Sequence, residues 1–456
     1  MVFFLDALDT CRRPAQGTSP TTGADAILQN IRTCNTIVRA LVHVADAPVQ
    51  DAAAQASASA LLAGVPIVVK DLIDVSGMPT CLGSRAISNT AIAHAEVVTA
   101  LLREGAMIAG KSHTTEFAMS GWGVSPLGRP LNPIDARDLF FTGGSSNGSG
   151  AAVASGLVPA ALGTDTGGSV RIPSSWCGIT GLKGSPGWVS TQGVAALSQR
   201  FDVVGPMART AADVRTLYRA MLPEPRRAAL ETGLENAAKE SLPTLIFLDD
   251  DSLGQLDSEV LAAYRAAQVH CTQQGFPTKR QAIPCDFAEM AGIWADISAL
   301  EGYLNNRVWA DDLSAPLEDS ARHNLLQGKR IDLENYFALL NRASLCREKM
   351  ERLLTPGYLL VVPTTSTPAM QLSAFDPKRT LGIYTRFVNL IQGCAIAVPN
   401  GLSQDGRPTS MQFVGAYGQD AVILHAASQW QAQTDWHERI RQQHLQQMQA
   451  LETQAN

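Results

Sequence analysis

Residues 142–173 read TGGSSNGSGAAVASGLVPAALGTDTGGSVRIP. Glycine and serine at this density, with few charges, read first as flexible loop. The run is interrupted, however, by AAVASGLVPAALG (151–163), which has the composition of a helix leading into a strand. The glycines therefore flank regular structure, and the stretch belongs to the core. It carries two glycine-flanked serines, Ser145 and Ser169, with one helix and one strand between them.

Upstream, Val65–Val69 is a short, mostly β-branched run ending on Lys70. Such a run reads as a buried strand that delivers a lysine to its C-terminal edge. Val97–Glu104 reads as a helix, Gly105 as its C-cap and Met107–Ala109 as the next strand. This strand–helix–strand alternation predicts an α/β fold with a mixed β-sheet flanked by helices on both faces. Residues 1–24 read as loose, Asp25–Ala45 as a helix, and the Ala-rich stretch after it as helical too. Residues 222–242 look like a charged excursion. Thr244–Leu248, Leu359–Val362, Ala395–Val398 and Met411–Val414 read as strands, and Ser258–Gln274 and Asp420–Gln433 as helices. Helical spacing dominates from Phe287 to Leu354, and the Gln-rich tail from Arg439 reads as a solvated helix or a frayed end. No repeat or linker divides the chain, so one domain over 1–456 is expected, with the helical segment at about 287–354 shaping a pocket.

Bulk properties narrow the class. The 456 residues are 45% hydrophobic and 17% charged, an ordinary globular balance. A formal net charge of -6 argues against nucleic acid or an anionic membrane as partner and for a small-molecule substrate. Eight scattered cysteines (11, 34, 81, 177, 271, 285, 346 and 394) show no metal-ligand spacing and no disulfide framework, so reduced thiols and no metal or cofactor are expected. The start, MVFFLDALDTCRRP, lacks the charged n-region and long apolar run of a signal peptide, and no window is apolar enough to span a membrane. A cytoplasmic protein is the expectation, with its oligomeric state open.

The two serines, with Lys70 at 75 residues before the first, resemble the amidase signature family and its Ser–cis-Ser–Lys triad. The likeness runs through GVPIVVKDLIDVSG, TEFAM, FTGGSSNGSG, GTDTGGSVRIPSSWCGITGLK, GPMART and PTSMQFVG, and so covers most of the chain. It implies Ser169 as nucleophile, Ser145 after a cis peptide as proton carrier, and Lys70 as base. It implies an oxyanion hole from the backbone N–H groups of Thr166, Gly167, Gly168 and Ser169. Ser146 matches a supporting serine, while Asp165 and Arg171 flank the loop as structural charges. Met119 and Gly121 match positions bordering the reacting carbonyl, and Trp122 follows them toward the pocket.

The chemistry fits those residue types. Cutting an amide needs a nucleophile stronger than neutral serine and a proton for the departing nitrogen. A lysine serves as base only if it loses its proton near neutral pH, far below its ordinary ~10.4. Desolvation at the end of an apolar strand acts in that direction. Competing readings are weaker. GGSSNGSG lacks the Gly-Lys-Ser/Thr of a P-loop, and no histidine follows a nucleophile-elbow pattern. Cys177 reads as core, and Trp176, Trp188, Trp294 and Trp309 as packing. Two departures from the family pattern, Asn147 and Gly184–Ser185–Pro186, are expected to bear on the turn and the acyl-side loop.

The resemblance extends to bacterial urethanase-like members, so the expected reaction is C–N cleavage of small amides or carbamates. The alternative is a glutamine-hydrolysing amidotransferase subunit of the A type working with a partner, against which the acidic balance counts.

Overall fold

The computed structural model describes Leu8 and residues 20–455, apart from 56, 58, 377 and 378. Its strands are β1 (Leu41–Gln50), β2 (Pro66–Lys70), β3 (Pro79–Thr80), β4 (Asn89–Thr90), β5 (Met107–Ser112), β6 (Ala160–Asp165), β7 (Thr180–Lys183), β8 (Val203–Ala208), β9 (Thr244–Leu248), β10 (Thr278–Gln281), β11 (Tyr358–Pro363), β12 (Cys394–Leu402) and β13 (Pro408–Gly415). Eleven of them form one mixed sheet in the order β1-β5-β2-β6-β8-β7-β12-β13-β11-β9-β10, and β3 pairs with β4 separately.

Every residue of β2, β5, β6, β7, β8 and β13 is buried. Because successive side chains point to opposite faces, this requires cover on both sides of the sheet. The helices supply it, and the α/β expectation holds. β2 runs parallel to both β5 and β6, with Val69 opposite Leu162. That register brings the C-terminal end of β2, with Lys70, beside Thr164. The run read as a lysine-bearing strand is thus the middle member of a parallel trio.

The helix around the first serine run starts earlier than the Ala-rich segment. Asn147–Ala154 is helical, so the glycines at 148 and 150 lie inside it, where a Cβ would strike His113 or Pro173. The segment read as a pocket-shaping helical region comprises the helices Phe287–Asp311, Asp319–Gly328 and Leu333–Leu353. Asp286 and Asp332 cap the first and third by accepting from Glu289 and Asn335 N–H.

Several expectations change. The first helix is Pro20–Val38, so residues 20–24 are not loose, and the rest of the loose N-terminal expectation, with Cys11 and the leader reading, lies outside the described residues. That helix ends before Ala45 because Arg39 takes φ of 54° and Leu41 onward pairs with β5. Among the described residues of the Ala-rich stretch only Ala52–Gln55 is helical. The charged excursion is the helix Glu224–Lys239, with Pro225 in its first turn where a missing N–H costs nothing. The tail is a helix, Trp436–Ala455, docked through buried Ile440, His444 and Met448 and not simply solvated. The described cysteines are all free thiols. No helix among the described residues is long and apolar enough to cross a membrane.

Ile396 sits mid-sheet on β12, opposite Leu182 of β7 and Phe413 of β13, and is fully buried. Ile396→Ala is expected to cost about 2–5 kcal/mol, read as a lower urea midpoint at unchanged slope.

Candidate active site

Lys70 is fully buried at the end of β2. Its Nζ lies 2.7 Å from Ser145 Oγ and 2.8 Å from Thr164 Oγ1. Burial pushes its pKa down to about 7, against the opposing charges of Asp202 and Asp165. The ammonium is therefore in balance with the free amine near neutral pH. Ser145 follows a cis peptide bond from Gly144, as the resemblance implied, and is fully buried. Gly144 has no room for a side chain, since a Cβ would lie 2.6 Å from Ser120 O.

Ser169 comes next to this pair through the main chain: Ser146 N–H donates to Ser169 O at 3.1 Å. Its side chain is half-buried and faces the cavity described below. Among the described residues no hydrogen bond joins the Ser145 and Ser169 hydroxyls. Catalytic hydrogen bonds often close only around a substrate. Ser146 holds the strand behind the loop, its hydroxyl donating to Thr164 O and accepting from Thr164 N–H, both at 3.2 Å.

The loop from Asp165 to Arg171 is built around one carboxylate. Asp165 accepts from Gly168 N–H at 2.8 Å, Val170 N–H at 3.2 Å and the Arg171 guanidinium at 2.9 and 3.0 Å. Burial alone would raise the carboxyl, but Arg171 and Lys183 with the hydrogen bonds hold it well below the usual range. Of the four N–H groups that the resemblance implied as donors, one is engaged by this carboxylate. The Gly168 N–H is turned inward to Asp165, while those of Thr166, Gly167 and Ser169 have no acceptor among the described residues. Gly168 takes φ of 125°, and a Cβ there would lie 2.1 Å from Thr385 Oγ1, so only glycine fits.

Residues that the sequence reading passed over hold this loop. Asn389 and Gln412 bind the Arg171 guanidinium at 2.7 and 3.0 Å, and Asn389 also donates to Asp165. Gln412 lay within the quoted PTSMQFVG motif, which was the available signal. Asp202 accepts from the Thr166 hydroxyl at 2.5 Å and from Leu197 and Ser198 N–H. Burial chiefly lifts its pKa to about 6, opposed by those donors and by Lys70.

A cavity of about 430 Å³ opens on Ser169. Met119, Gly121 and Trp122 line it, with Leu197 and the middle of the helix Phe287–Asp311, from Trp294 to Ala299. Trp294 lines it too and is more than packing: its Nε1 donates to Thr166 O at 2.8 Å. The wall from Phe375 to Arg386 was not anticipated. The two family departures lie elsewhere. Asn147 opens a helix and donates to Gly123 O at 2.8 Å, so it neither forms a left-handed turn nor touches Lys70. Gly184 abuts the Tyr218 hydroxyl and Ser185 binds Asp420, outside the cavity. Cys177 is buried core, and burial pushes its thiol far up.

Fold and site together define an α/β protein in which a buried lysine–serine pair backs a serine loop with unengaged N–H donors. The family model described as Amidase matches residues 24–424. In Chromohalobacter salexigens, the A subunit of glutamyl-tRNA(Gln) amidotransferase is 33% identical over 86% of this chain and 88% of its own. A solved amidase superposes with a TM-score of 0.78 at 26% identity, covering 94% of this chain and 99% of its own. A 6-aminohexanoate cyclic dimer hydrolase gives a TM-score of 0.82 at 24% identity, over 96% and 98%. The chain belongs to the amidase signature family.

Arg171→Met leaves the Asp165 carboxylate buried without its counter-charge. The expected loss is about 3–5 kcal/mol, measured by urea unfolding at neutral pH.

Proposed function

We propose that this chain hydrolyses the terminal amide of glutamine through an acyl-enzyme on Ser169, as an A-type subunit that hands ammonia to a partner. The observation that carries the reaction is Lys70 Nζ, buried and 2.7 Å from the Ser145 hydroxyl. The glutamine assignment draws on the name of the 33% identical relative, which spans nearly the same length. It moves the reading from carbamates toward glutamine, and outweighs the acidic charge that counted against it.

Each step uses a group already placed. Ser169 Oγ bonds to the amide carbon, its proton passes to Ser145 Oγ, and the Ser145 proton passes to neutral Lys70. The carbonyl oxygen becomes an oxyanion facing the N–H groups of Thr166, Gly167 and Ser169, where each donor is worth roughly 3 kcal/mol. The C–N bond then breaks as the relay runs backward and protonates the nitrogen. Water enters by the same route to release the acid and free Ser169. Asp165 and Arg171 hold the donor loop, Ser146 braces it from behind, and Met119, Gly121 and Trp122 border the acyl group. The whole chain serves as one amidase domain.

A second reading has its own support. Met119, Trp122, Leu381 and Phe375 give the cavity an apolar wall, which suits an alkyl or aryl amide, or a carbamate, cut without a partner.

A panel of glutamine, aliphatic amides, anilides and aryl carbamates decides between them. Glutaminase activity supports the first reading. Turnover of anilides or carbamates with none on glutamine replaces it with the second. Ser169→Ala is expected to abolish turnover of every substrate, and unchanged hydrolysis overturns the mechanism. Lys70 must be neutral to act, so kcat/KM is expected to rise with pH through about 7 as its proton leaves. Lys70→Ala is expected to cost about 10²–10⁴-fold and to remove that limb; an unchanged profile takes Lys70 out of the relay.

A further inference from the structure

Arg386 opens the short helix Arg386–Leu390 and lines the cavity with Ser169. Its guanidinium stacks on Trp294, 4.4 Å from the ring centroid, and makes no hydrogen bond or ion pair among the described residues. Arg171 differs: that guanidinium is fully buried and is answered by Asp165, Asn389 and Gln412, whereas Arg386 is half-buried and has no such partner among the described residues. Asp296 also lines the cavity but does not bind Arg386. Burial pushes the Arg386 pKa down to about 10, with no carboxylate acting against it. A guanidinium partly stripped of water and left unpaired is costly. A ligand carboxylate offsets that cost through charge-assisted hydrogen bonds.

Trp294 fixes where such a carboxylate would lie. Its ring packs so tightly on the donor loop that a Cβ at Gly167 would be 2.4 Å from Cζ2, while Nε1 is held by Thr166 O. The guanidinium and the donor loop beside Ser169 thus both pack on one indole and open on the same cavity. An anion seated on Arg386 shares that cavity with the carbonyl under attack.

We infer that Arg386 seats a carboxylate of the substrate, so that the site selects small amides carrying a carboxylate near the bond that is cut. This rests on the C–N hydrolysis proposed above, and it sets the substrate class independently of any partner.

The test compares kcat/KM for glutamine, glutaramate and neutral butyramide in the wild type, Arg386→Met and Arg386→Lys. The expected result is a preference for the two carboxylates over butyramide of about 10- to 100-fold. Arg386→Met is expected to collapse that ratio through KM, and Arg386→Lys to restore part of it. Glutamine and glutaramate differ only in the ammonium, so their comparison shows whether an amino acid or a simple dicarboxylic monoamide is the source. Butyramide hydrolysed as efficiently as glutaramate, or an Arg386→Met loss equal on both, overturns the inference. If the wild type cuts none of the three, the glutamine reading falls on its own. Calorimetric titration of glutarate into Ser169→Ala then decides the subsite: binding lost in Ser169→Ala/Arg386→Met supports it, and no binding overturns it.

Discussion

Four donors converge on the Asp165 carboxylate, and much of the active-site half of the molecule is arranged by that convergence. Two are backbone N–H groups of the loop itself, one is the Arg171 guanidinium and one is the Asn389 amide. A buried carboxylate stays ionised only when it is answered this fully. Because Arg171 continues to Asn389 and Gln412, the loop is fastened to a helix and a strand more than two hundred residues further along the chain. The same carboxylate withdraws the Gly168 N–H from the cavity and leaves its neighbours facing outward. The donor set beside Ser169 follows from which N–H groups Asp165 has already taken.

Lys70 shows the opposite use of burial. Among the described residues no carboxylate touches it, and its two close partners are hydroxyls, from Ser145 and Thr164. Hydroxyls accept from an ammonium without holding its charge as a carboxylate would, so desolvation prevails. Asp202 and Asp165 act only from a distance. The buried layer behind Ser169 thus contains a carboxylate held ionised and a lysine held close to neutrality, separated by the choice of immediate neighbours.

Much of this was legible in the chain. Lys70, Ser145 and Ser169 stood out because local glycines and a short apolar strand mark them, and Asp165 and Arg171 because they flank the loop in sequence. Arg386 and the wall around it did not, since only the folded topology carries residues 375–386 to Ser169. The inward turn of Gly168 was invisible for a different reason: backbone direction in a glycine loop is set by a side chain's hydrogen bonds, not by composition. β1 was read as helix because Leu41 and Val42 continue the spacing of Ile27, Ile31 and Val38, and pairing with β5 overrode that pattern. The docked tail did leave a signal. Ile440, His444 and Met448 fall four apart along one face, obscured by the glutamines between them.

The bond from Trp294 to Thr166 has a consequence for how such a site diversifies. Trp294 stands on a helix that lines the cavity, while Thr166 belongs to the loop that carries Ser169 and its unengaged N–H groups. The hydrogen bond and the absence of any gap at Gly167 make these two parts mechanically continuous. A substitution that tilts the helix to admit a bulkier acyl group also drags on the donors. The shape of the cavity and the set of the N–H groups beside Ser169 are therefore coupled, and Phe375, packed on Trp122, belongs to the same connected wall.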